Sequence, residues 1–150
     1  MKYFSQNNPI WKNDKLGASK LSIGNYGCTT SCICSAGTWF GETVTPKELA
    51  SIKTFYTPAG LVIWHQIEHV FEKMKFFYRY YNFNEAVIDE FLITNPNSVV
   101  LLNVNNRAHW VLALRKTASG YFCNDPYPFP TKNKVFSKTN IQGFSVLIKK

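Results

Sequence analysis

Acidic residues are few: 9 Asp and Glu stand against 17 Lys and Arg, a net charge of +8. That excess suits an anionic partner such as nucleic acid or cell-wall polymer. The basic residues are scattered and no dense Lys/Arg run is present, so charge alone does not point to specific nucleic-acid binding. No apolar run approaches the roughly 18 residues of a membrane-spanning helix, which excludes membrane insertion of that kind. The opening MKYFSQNNPIW has one lysine and no apolar stretch, so it does not read as a signal peptide. The expectation is a cytoplasmic protein, or one released by lysis or carried in a phage particle. Cysteine is too scarce, at 4 in 150 residues, for a disulfide scaffold.

What is present is enough for one folded domain spanning residues 1–150. Hydrophobic residues make up 45% and charged residues 17%, a balance that excludes extensive disorder. Asn7 to Gly27 is polar and reads as loop with short extended pieces. The small-residue run CTTSCICSAGTWF, from Cys28 to about Phe40, reads as a buried helix. Thr45-Pro46-Lys47-Glu48 is a capping box opening a helix to about Lys53. Trp64, Ile67, Phe71 and Met74 recur at helical spacing and predict a helix over Leu61 to Lys75. Phe76 to Tyr81 reads as a strand, and Asn84 can cap a helix bearing Val87, Ile88, Phe91 and Leu92. Then the character changes: SVVLLNV (98–104), HWVLALRK (109–116), Tyr121 to Asn124 and Phe144 to Lys149 all read as strands, with a hairpin turn at Ala118-Ser119-Gly120. Helices followed by an antiparallel sheet define an α+β domain, and the cleft between unlike halves is a natural place for a site.

Cys28 follows Gly27 and opens the small-residue helix. The positive end of the helix dipole and the free N–H groups there favour a thiolate nucleophile. A buried packing cysteine is the plainer alternative. A thiolate needs a base, and His109, at the start of its strand after the polar loop Asn105–Ala108, can hold and deliver a proton. A histidine there can equally be a packing residue. Asp125 ends the strand after the hairpin turn, so antiparallel pairing returns it to the end of the sheet that carries His109, where it can orient the ring. It is also a turn aspartate before Pro126, and Asn124 is a second candidate orienter. Gln6 supplies an amide that could join the Cys28 backbone N–H in stabilising an oxyanion.

Together these residues resemble the papain-like peptidases related to the bacteriocin-processing, double-glycine-leader family. The resemblance rests on SQNNPIW (5–11), IGNYGCTTS (23–31), Phe40-Gly41 with Val44-Thr45-Pro46, Ala108-His109-Trp110-Val111 and Asn124-Asp125-Pro126. It spans nearly the whole chain in order. It implies a papain-like α+β fold, an N-terminal helical half packed on a C-terminal antiparallel sheet. It also implies a thiol protease chemistry with Cys28 as nucleophile, His109 as base, Asp125 as orienter and Gln6 as oxyanion donor. No metal or organic cofactor is required. The substrate would be a peptide, a protein or the peptide part of peptidoglycan. No exporter module follows, so a leader peptide is not implied; related stand-alone domains occur in secreted, phage and cell-wall lytic proteins. The second reading is a catalytically silent module of the same fold that binds a peptide or joins an assembly such as a virion.

Two metal readings compete. His65-Gln66-Ile67-Glu68-His69 has the H-x-x-E-H pattern of a zinc peptidase. At helical spacing, both histidines fall opposite the Trp64–Ile67–Phe71–Met74 stripe and should face solvent. Cys28, Cys32, Cys34 and Cys123 lack the C-x2-C spacing of a zinc knuckle, which leaves core packing for Cys32 and Cys34. A Cys28–Cys32 disulfide would be a means of regulating or poisoning the enzyme.

Overall fold

The computed structural model describes residues 1–150. Its first helix lies in the segment expected to be loop. Ser22 caps a single turn, α1 (Ile23–Tyr26), and Gly27 separates it from α2 (Cys28–Trp39). Small residues let α2 sink into the protein: Thr30 through Gly37 are all buried. The capping box forms, with Thr45 Oγ1 accepting from Glu48 N and Glu48 Oε2 from Thr45 N, over α3 (Pro46–Ala50). This helix stops short of Lys53, where a separate 3₁₀ turn, Lys53–Phe55, begins.

The predicted helix over Leu61–Lys75 is the main disagreement. Leu61 to Ile63 are extended, because Val62 bridges to Tyr56 and Ile63 N donates to Phe55 O. Only a 3₁₀ turn, Trp64–Gln66, and α4 (Ile67–Val70) are helical. Met74 already belongs to strand β1 (Met74–Tyr80). The stripe still points inward, with Ile67, Phe71 and Met74 at most 1% exposed. Burial was legible there; the backbone carrying it was decided by pairing partners far along the chain.

Asn84 caps α5 (Glu85–Asp89) through Val87 N, and the chain continues in a π turn, Glu90–Thr94. Strands β2 (Ser98–Val104), β3 (His109–Lys116) and β4 (Gly120–Asp125) follow, then β5 (Lys132–Ser137) and β6 (Ile141–Lys149). The β5 segment KNKVFS carried no apolar alternation, because it is an exposed edge with only Phe136 buried. All six strands pair antiparallel in the order β1-β6-β2-β3-β4-β5. The sheet is therefore not purely C-terminal, since β1 is borrowed from the N-terminal half.

Every residue of β2 is buried, which explains its unbroken apolar run. Val99 and Leu101 join the core formed with α2, while Val100, Leu102 and Val104 join a second core under Ile88 of α5. The architecture is α+β, helices on a mixed-connectivity antiparallel sheet. No helix is long and apolar enough to cross a membrane.

Candidate active site

Gly27 makes the junction between α1 and α2 possible. Its N–H donates to Ile23 O over 2.7 Å, closing α1, and its carbonyl accepts from Ser31 N over 2.9 Å, opening α2. A Cβ at this position would lie 2.5 Å from Ile23 O. The glycine is thus required by close approach of the backbone to itself. Cys28 becomes the first residue of a 12-residue helix, half-buried, with its N–H among those no helical carbonyl can reach.

The hairpin pairing of β3 with β4, registered at Leu112 and Asn124, brings the start of one beside the end of the other. His109 Nε2 lies 2.7 Å from Asp125 Oδ1, their side chains 14% and 11% exposed. Asp125 Oδ1 also accepts from Tyr127 N at 3.0 Å, and Lys134 Nζ is 3.7 Å from Oδ2. Burial disfavours the charged imidazole. The hydrogen bond to Asp125 and the influence of the Cys28 thiol outweigh it and raise the His109 pKa to about 9. Burial likewise opposes the Asp125 carboxylate, yet His109, the Tyr127 N–H and Lys134 hold its pKa below the ordinary value. With Nε2 engaged by Asp125, Nδ1 is the ring nitrogen left to serve the thiol.

Asn124 takes no part. Its Nδ2 donates to Thr131 Oγ1 and Asn133 Oδ1, 3.0 and 2.7 Å away, so Asp125 alone orients the ring. Gln6 is 1% exposed and tied to both halves of the site. Its backbone N–H donates to Pro126 O at 2.8 Å, and its Nε2 to Gly24 O at 3.0 Å, four residues before Cys28. One Nε2 hydrogen remains uncommitted, and Oε1 is buried without a partner. The segment is pinned further by Trp11 Nε1 on Ser5 O, 2.7 Å.

Sequence reasoning missed the support beneath His109. Asn105, Asn106 and Arg107 have φ of 54°, 56° and 72°, three consecutive left-handed residues without a glycine. Side-chain amides hold them: Asn103 Nδ2 donates to Arg107 O, Asn140 Oδ1 accepts from Asn105 N, and Gln142 Oε1 from Arg107 N. The signal available was a lone asparagine inside the apolar run SVVLLNV.

His65 and His69 are both exposed, and His65 stands edge-on to Phe76 at 5.1 Å. No group of three or more His, Cys, Asp or Glu side chains could hold a metal ion. Cys32, Cys34 and Cys123 are buried free thiols, and burial pushes all three pKa values up. No protein-family model, curated protein or solved structure matches this chain.

Proposed function

We propose that this chain is a papain-like cysteine hydrolase that cleaves an amide bond in a peptide, a protein or the peptide part of peptidoglycan. The reading is carried by one observation: a histidine clamped at 2.7 Å by a buried carboxylate, with a cysteine at a helix N-terminus near enough to help raise the pKa of its ring. Each group has a place in acyl transfer. The Cys28 thiolate attacks the carbonyl carbon, and the carbonyl electrons move onto oxygen. The Cys28 N–H and the uncommitted Gln6 N–H stabilise that oxyanion. The His109 imidazolium gives its proton to the leaving amine, and the C–N bond breaks. His109 then takes a proton from water, which hydrolyses the thioester and frees Cys28. Asp125 holds the ring and stabilises its charged form throughout.

The test is mass spectrometry of linear peptides and of purified peptidoglycan after incubation with wild type and with Cys28→Ala. Products that need the sulfur support the hydrolase. Identical product lists from both proteins overturn it and favour the silent binding module.

A further inference from the structure

Beside the site lies an apolar groove of about 550 Å³ that the mechanism does not use. Val62, Trp64, Phe76, Tyr78 and Tyr81 line it, and Arg79 is its sole fixed charge. Two of its lining residues pack on neighbours of the His109 strand and of the Cys28 helix. On one side Trp64 packs on Trp110, with ring centroids 5.4 Å apart, and Trp110 follows His109 directly. On the other, Val62 bridges to Tyr56, whose hydroxyl lies 2.9 Å from Thr30 Oγ1, two residues after Cys28. The groove therefore adjoins the strand that carries His109.

The guanidinium of Arg79 lies over Tyr81 at 4.6 Å and over Trp110 at 5.2 Å. It takes part in none of the six salt bridges of the chain, and no side-chain or backbone oxygen accepts from it. Two aromatic rings hold the guanidinium while its N–H groups stay free of protein acceptors. That is the arrangement for bidentate capture of a carboxylate, in a groove without an acidic residue of its own. Stem peptides of peptidoglycan offer carboxylates but no large apolar side chain to fill the aromatic part.

We infer that this groove is the specificity subsite and that it selects protein-derived peptides with a large apolar side chain next to an acidic one. The inference rests on the hydrolase reading for its purpose but is tested without catalysis. The probe is fluorescein-labelled Ala-Ala-Phe-Glu-Ala-Ala, compared with its Phe-Gln and Ala-Glu counterparts, on the Cys28→Ala protein by fluorescence anisotropy. The Phe-Glu peptide should bind about tenfold tighter than either counterpart. The Glu-over-Gln preference should vanish in Cys28→Ala/Arg79→Gln and reverse toward a Phe-Lys peptide with Arg79→Glu. The Phe-over-Ala preference should vanish in Cys28→Ala/Trp64→Ala. Equal affinity of the Phe-Glu and Phe-Gln peptides, or a preference that survives Arg79→Gln, overturns the subsite. Tight, Arg79-dependent binding with no cleavage by wild type would keep the subsite and retire the hydrolase. Cleavage of peptidoglycan alone, with no peptide bound, overturns the subsite and keeps the hydrolase.

Discussion

Asn103 Nδ2 donates to the backbone carbonyl of His109 over 3.0 Å, and to that of Arg107 over 3.2 Å. One buried amide thus ties the strand that carries His109 to the left-handed loop that delivers it. Left-handed backbone costs roughly 1 kcal/mol or more per residue away from glycine, so the loop holds this shape only while its amides hold it.

Asn103→Ala should therefore lower kcat about tenfold with little change in KM. The alkaline limb of the pH–rate profile should also move down as the ring loses its seat against Asp125. The check is steady-state kinetics across pH, beside a thermal melt. Lost stability with kcat and the alkaline limb unchanged would make Asn103 a folding residue only.

The raised His109 pKa predicts where activity ends. The imidazolium that protonates the leaving amine is lost as pH rises through about 9, so kcat/KM should fall there. In Asp125→Asn the largest raising influence is gone while burial remains, so the His109 pKa should drop by more than a unit. Imidazole NMR titration of both proteins reads this directly; a wild-type ring titrating near 6.5 would contradict the geometry.

The same pair sets a window of stability. His109 is raised from 6.5 to about 9, so its contribution is whole below pH 6.5 and disappears as pH rises through 9. Asp125 is lowered from 3.8, so its contribution is whole above that value and is lost as pH falls through its folded pKa. Wild type should gain most over His109→Asn between about pH 4 and 6.5, by on the order of 3 kcal/mol at most, with the gap closing toward pH 10. Urea melts at pH 5.5, 7.5 and 10 test it; a gap that widens with pH refutes the assignment.

Gln6→Ala should cost about 10² to 10³ in kcat at nearly constant KM, because its free N–H acts on charge that exists only in the transition state. A rise in KM with kcat intact would place Gln6 in substrate binding instead.

Gly27→Ala drives a Cβ to within 2.5 Å of Ile23 O, a backbone atom with nowhere to go. The expected loss is about 1–3 kcal/mol, measured by chemical denaturation, together with loss of Cys28 alkylation selectivity as α2 shifts.

Much of this protein was readable residue by residue. The capping box at Thr45, the Asn84 cap and the ends of β2 and β3 depend on neighbours within a few positions, and the sequence carries those neighbours. Cys28, His109 and Asp125 were legible for the same reason, since each sits at a recognisable start or end of an element, whereas Gln6 lies in a turn and was singled out for its amide alone. Other features waited for the folded chain. The segment 61–75 has helical periodicity but yields to strand pairing at Met74, because Lys149 offers it a partner 75 positions away. Asn124 stood behind Asp125 as a second candidate until β5 arrived to occupy its amide. The stacking of Arg79 on Trp110 and the 2.7 Å contact of His109 with Asp125 are likewise tertiary facts. Local propensity can place a residue at the tip of a helix or strand, but only closure of the sheet decides which tips meet.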